Sequence, residues 1–239
     1  MRRTAFVLFI LSLAGTLIGS VPAGAAAVQQ DDAPIVDVAE VFGVLDPQLA
    51  GFVLDRIEEA NRDGAELLVL ELDTPGAIEV DVREILDAIQ ASRVPVAVWI
   101  GPRAARARSA GALIAAAAHV NAIGPSARLG PVHPTELSID PASTEGARAR
   151  SEELALARSL AAARGRGDPE GYFDGSLGAN ASLEARAVDV VTPVVAELLT
   201  RSDGRTVTTA AGRVTLRLPT DEAVVRFLKP GPIKGLLHT

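Results

Sequence analysis

AELLVLELDTPGAIEVDVREILDAIQASRVPVAVWIGP (residues 65–102) decides the architecture. Its opening, AELLVLELDTPG, is a continuous apolar run closed by a turn, the pattern of a strand covered on both faces. VDVREILDAIQASR (80–93) then repeats apolar residues at helical spacing, and VPVAVWIGP (94–102) returns to an unbroken apolar run. Strand, helix and strand in that order imply a βαβ unit with parallel strands.

The alternation continues on both sides. PIVDVAEVFGVL (34–45) reads as a strand. Asp46 and Pro47 read as an N-cap and a first-turn proline, and the helix QLAGFVLDRIEEANRDG (48–64) stops at Gly64. Downstream, SAGALIAAAAH (109–119) is a short buried helix, and HVNAIGPSARLG (119–130) gives short strands around a Gly-Pro turn. Thr135 to Gly146 is polar and reads as a loop. ARARSEELALARSLAAARGRG (147–167) reads as a long exposed helix with its arginines outward, and SLGANASLEARAVDVV (176–191) as a helix and then a strand. Beyond Leu199 the pattern changes to a hairpin around Ala-Ala-Gly (201–219) and one more strand, EAVVRFL (222–228). The expectation is an α/β fold of layered βαβ units over 34–199, a small β appendage over 200–228, and a tail over 229–239.

Composition narrows the chemistry. Aromatics make up only 3 % of the 239 residues, so the core is built from Ala, Val, Leu and Ile. No cysteine is present, which excludes disulfides, thiolate metal sites and a cysteine nucleophile. A net charge of −7 argues against nucleic acid as a partner. The three histidines lie far apart with no helical i, i+4 pair, and no Walker or GxGxxG motif occurs, so neither metal nor nucleotide cofactor is implied. Arg2 and Arg3 precede an apolar run, FVLFILSLAGTLIG (6–19), short for a membrane span, and AGAAA (23–27) offers small residues for cleavage. Residues 1–27 therefore read as a signal peptide or N-terminal anchor and 28–33 as a linker, which places the remainder outside the cytoplasm.

Ligands of open α/β folds sit at the carboxyl ends of strands. Two strand-to-helix junctions stand out there: LDTPGA (72–77) and IGPRAARARSAG (100–111). Ser109 begins a helix, where free N–H groups and the positive dipole end converge. It is either a plain N-cap or a displayed nucleophile, with the N–H groups of Ala110 and of Gly76 or Ala77 as oxyanion donors.

The sequence ELDTPG, an amphipathic helix, VPVAVWIGP, ARSAGALIAAAAHVNAIGPSARLG and then HP resembles the protease domain of NfeD proteins. Those are membrane-associated serine peptidases of the Clp peptidase/crotonase superfamily. RSLAAARGRG (158–167) and SLEARAVDVV (182–191) match the family's later helix and strand, and the resemblance spans about 34–238. It implies Ser109 as nucleophile and Gly76 and Ala110 as oxyanion donors, with Ala77 where the family has a second glycine. It implies a lysine base at the position of Arg148. Arginine keeps its proton and cannot be that base. Only Lys229 and Lys234 occur, against 21 arginines. The spacings of His133 after Ser109 and of Asp174 before Asp189 look like the Ser-His-Asp arrangement of the Clp branch. His133 with Asp174 is therefore a candidate replacement, the alternatives being a loop histidine at 133 that only supports the site or faces solvent, and a turn or helix-capping aspartate at 174. The resemblance further implies apolar peptide segments as substrates, such as the tails of stomatin-like membrane proteins, and homo-oligomers. The alternative is a pseudopeptidase acting as a scaffold in membrane protein quality control.

Two features take simpler readings. His119 is expected to be structural, satisfying backbone carbonyls at a helix end. The arginines at 103, 106, 108, 148, 150, 158, 164 and 166 read as a solvated face, with a grip on an acidic peptide, phosphate or lipid headgroup as the alternative.

Overall fold

The computed structural model describes residues 33–133, 142–219 and 221–231. The readings of 1–27, of the linker up to residue 32, of most of the 135–146 loop and of the tail from 232 lie outside them. Among the described residues no helix is long and apolar enough to cross a membrane.

β1 (Ile35–Phe42) leads into α1 (Pro47–Asp63) through Asp46, whose carboxylate accepts the Leu49 N–H at 2.8 Å. Gly64 ends α1 in the left-handed region at φ 68°. β2 (Leu67–Asp73), α2 (Val82–Ala91) and β3 (Val96–Ile100) complete the unit on which the reading turned. Then come β4 (Arg106–Ala107), α3 (Ala110–Ala117), β5 (Val120–Ile123) and β6 (Arg128–Leu129). α4 (Thr144–Ala163), α5 (Glu170–Phe173), β7 (Leu177–Gly178), α6 (Ala179–Glu184) and β8 (Val190–Val191) follow. The last elements are α7 (Val195–Ser202), β9 (Thr206–Thr209), β10 (Gly212–Thr215) and β11 (Val224–Leu228).

The main sheet runs β11-β1-β2-β3-β5-β8 with every pairing parallel. β4, β6 and β7 form a small second sheet. The apolar runs of β2 and β3 feed alternate residues to two cores. Leu68, Leu70 and Leu72 pack under α1, α2 and α3, while Leu67, Val69 and Trp99 pack under α7 and the hairpin. This is why those strands carry no polar face.

The segment 200–228 divides. β9 and β10 form the expected hairpin, with Ala210 and Ala211 at its turn. β11 instead joins the main sheet as an edge strand, Ile35 opposite Val224, so it is not part of a separate appendage. The physical reason is that β1 would otherwise be the open edge of a parallel sheet, and Asp37 on it takes the Arg226 guanidinium through Nε at 2.6 Å and Nη2 at 2.8 Å.

Candidate active site

Backbone hydrogen bonds zip the two junctions together at the carboxyl ends of the central strands. Thr74 N–H donates to Arg106 O at 2.8 Å and Arg108 N–H to Thr74 O at 3.1 Å. The glycine of Ser-Ala-Gly makes the approach possible: a Cβ on Gly111 would lie 2.4 Å from Thr74 Cγ2. Gly76 has φ 147°, a conformation that suits glycine. Ala77 lacks that constraint, and its methyl group lies in the core at 1 % exposure, so the departure from Gly-Gly is absorbed by packing.

Ser109 sits between strand and helix at φ 52°, ψ −122°, with no side-chain capping bond. A non-glycine residue held there costs about 1–3 kcal/mol. The same strained strand-to-helix turn displays the nucleophile of α/β-hydrolases. An ordinary N-cap has extended backbone and bonds a helix N–H, so the capping reading does not describe this residue. Ser109 is 3 % exposed, and its side chain makes no capping hydrogen bond. The Ala110 N–H that follows is without a partner among the described residues. The Gly76 N–H meets only Thr74 Oγ1, at a long 3.3 Å. Two amides are thus available beside one hydroxyl.

Ser109 N–H donates to Pro131 O at 2.6 Å, which brings the chain just before His133 against the serine. His133 lies two residues on, roughly 7 Å of extended chain. Its ring stacks on Phe173 with centroids 6.0 Å apart, and Nδ1 lies 2.7 Å from Glu153 Oε2. Both side chains are largely buried, at 9 % and 13 % exposure. A carboxylate on Nδ1 fixes the tautomer that leaves Nε2 free to accept a proton.

Asp174 does not play that part. Its side chain is 57 % exposed and pairs with Arg150, whose guanidinium also stacks on the Phe173 ring at 5.1 Å. The carboxylate on His133 is Glu153, which the sequence reading passed over. Its position was available in the helix pattern: Gly146, Glu153, Ala157 and Leu160 fall on the one stripe of α4 that turns inward. Arg148 is exposed on α4.

The arginines after α4 are not a solvated face. Arg166, with a side chain 3 % exposed, donates from Nη1 to Ala116 O at 2.8 Å and Ala115 O at 3.3 Å, and from Nη2 to Ala118 O at 2.9 Å. Arg164 Nε donates to Ala117 O at 2.8 Å. α3 is buried along its whole length, so water cannot satisfy its last carbonyls, and two guanidiniums do so instead. Arg166 also bonds Asp189 Oδ2 at 3.0 Å, and Arg205 bonds Oδ1 at 2.6 Å. Burial alone would raise the Asp189 carboxyl, but Arg166, the Asn121 N–H and Arg205 outweigh it and hold it below the ordinary carboxylate value. His119 is structural, though not through carbonyls. Its Nδ1 accepts the Val96 N–H at 3.0 Å, and burial, with Arg164 and Arg166 nearby, pushes its pKa down to about 3.

Two cavities flank the site. One of about 200 Å³ is lined by Val80, Val82, Leu113 and Leu156 together with the charged Asp81, Arg83, Glu152 and Glu153. The other, about 240 Å³, is lined by Arg106, Arg108, Arg128, Gly130, Pro131 and Ser176.

Comparison with known proteins gives the same lineage. The chain is 32 % identical over 208 residues to the membrane-bound protease PH1510 of Pyrococcus horikoshii. That homology supports an NfeD-type peptidase domain. The match takes in 82 % of the chain and 46 % of that relative, so the chain spans about half the relative's length. No protein-family profile matches the chain. Two solved structures of the 1510-N membrane-bound stomatin-specific protease superpose well. A lysine-to-alanine mutant in complex with a substrate peptide gives a TM-score of 0.74 at 29 % identity, covering 83 % of the chain and 94 % of that structure. A serine-to-alanine mutant gives 0.73 at 29 % identity, with 83 % and 99 % covered. The homology supports a peptidase function.

Proposed function

We propose that the chain is a serine peptidase whose base is His133, oriented by Glu153, in place of the family lysine. His133 Nε2 takes the proton of Ser109 Oγ as that oxygen bonds to the peptide carbonyl carbon. The carbonyl oxygen becomes an oxyanion facing the Ala110 and Gly76 N–H groups. His133 then protonates the leaving amine, and water releases the acyl group by the reverse order of steps. The observation that carries this reading is a hydroxyl in a strained turn, on a residue whose N–H donates to Pro131 O two residues before an imidazole held by a carboxylate at 2.7 Å.

The substrates are apolar peptide segments of membrane-associated proteins, a stomatin homologue among them. The aliphatic part of the cavity, from Val80, Val82, Leu113 and Leu156, and the stomatin-specific relative support that choice. The N-terminal apolar run supports action at the outer face of the cell membrane.

Fluorophosphonate labelling tests the chemistry. Labelling is expected at Ser109, absent in Ser109→Ala, and slowed by about 10²–10⁴ in His133→Ala. The second reading, a pseudopeptidase scaffold, is favoured by Arg148 at the lysine position. Failure of the folded protein to label at any pH establishes it and refutes the first.

A further inference from the structure

We propose that the basic cavity beside Ser109 is a substrate subsite for a carboxylate. This rests on the peptidase reading and adds a polar determinant to it. Arg108 immediately precedes Ser109, and Pro131 accepts the Ser109 N–H at 2.6 Å, so the cavity shares its wall with the nucleophile. Arg128 is partly committed, with Nε on Ser176 Oγ and Nη2 on Ser176 O, both at 3.0 Å. The guanidiniums of Arg106 and Arg108 make no hydrogen bond or ion pair among the described residues.

Several arginines elsewhere in this chain, though not all of them, find carboxylates. Arg56 pairs with Glu59, Arg150 with Asp174, Arg158 with Asp168 and Glu170, and Arg201 with Glu197. Two acids of adjoining segments are otherwise engaged. Asp73 Oδ1 accepts the backbone N–H of Arg106 at 2.9 Å, and Asp174 is held by Arg150. Two uncommitted forks and a third half-committed one therefore concentrate positive charge in a concave site on a chain of net charge −7. Paired guanidiniums match a planar carboxylate through parallel N–H···O bonds. The ligand is a glutamate or aspartate side chain near the scissile bond, or the free carboxyl terminus of the peptide.

The test uses peptides carrying an apolar segment followed by Glu or by Gln, each with a free or an amidated C-terminus. Cleavage by the full chain is compared with anisotropy-measured binding to the Ser109→Ala protein. The Glu peptide is expected to bind more tightly than the Gln peptide by on the order of tenfold. That ratio should fall toward one in the Arg106→Gln/Arg108→Gln double variant, whose unfolding midpoint confirms that it is folded. A preference that follows the C-terminal carboxyl instead assigns the site to the chain end. Equal binding of all four peptides, with Ser109 still labelled by fluorophosphonate, overturns the subsite and leaves the peptidase reading standing. An arginine-dependent Glu preference in a protein that never labels keeps the subsite and removes the peptidase. Arginine-dependent binding to phosphatidylglycerol vesicles without a Glu preference overturns the assignment in favour of a membrane surface.

Discussion

Replacing Arg166 with alanine should be the most damaging single change in the described chain. The guanidinium is the partner of three carbonyls at the end of α3 and of the Asp189 carboxylate. Its loss strands acceptors that water cannot reach, since α3 is buried throughout. Removing one member of a buried charge pair typically costs about 3–5 kcal/mol. Asp189 keeps Arg205 and the Asn121 N–H, which holds the pair's share toward the low end, while the orphaned carbonyls add to it. A loss of about 3–5 kcal/mol lowers the midpoint of a 200-residue domain by roughly 6–20 °C. Thermal and urea unfolding followed by circular dichroism would measure it. The exposed Arg158, paired with Asp168 and Glu170, is the control, and Arg158→Ala should stay within about 2 °C of the parent. Should Arg166→Ala unfold within about 1 kcal/mol of the parent, water must reach those carbonyls, and the clamp has been misjudged.

Four further outcomes are expected. Glu153→Gln should retain the fold and slow fluorophosphonate labelling of Ser109 by about 10²–10⁴, because the imidazole loses its tautomer lock. Arg148→Lys should change labelling less than about twofold, since an exposed lysine on α4 is not desolvated into a base. Gly111→Ala should cost about 1–3 kcal/mol and abolish labelling, as the new methyl group drives α3 away from Thr74. Stability should fall as pH is lowered from about 6.5 toward 3, because the folded pKa of His119 is depressed and the unfolded chain takes the proton first. Asp189 adds a further loss below the ordinary carboxylate range, and His119→Gln should flatten the upper part of the profile in a urea titration.

The parallel sheet was legible because its strands are covered on both faces, which forces unbroken apolar runs such as Leu67–Leu70 and Val96–Ile100. Caps at Asp46 and Gly64 were legible because they are local. What the sequence hid was long-range. β11 pairs with β1 across almost the whole chain, and no local pattern announces which edge a late strand will choose. Arg166 reads as a surface residue on composition alone, and its burial follows from carbonyls of α3 some fifty positions earlier. Asp174 was chosen by spacing, but spacing does not report that Arg150 lies beside it on α4.

The position of Glu153 bears on how such a site can work without a lysine. A lysine base must be stripped of water to give up its proton near neutrality. Arg148 sits on the exposed side of α4, whereas Glu153 lies on the stripe that faces His133. The same helix can therefore supply either a base of its own or the carboxylate that orients a base from the neighbouring loop. Placing the base on the His133–Glu153 pair needs no change in the turn that holds Ser109 or in the amides beside it. The double variant Arg148→Lys/His133→Ala distinguishes these routes. If the lysine restores labelling that His133→Ala has abolished, the two bases compete for one proton, and α4 is close enough to Ser109 to serve directly. If it restores none, the imidazole is the only base the geometry admits.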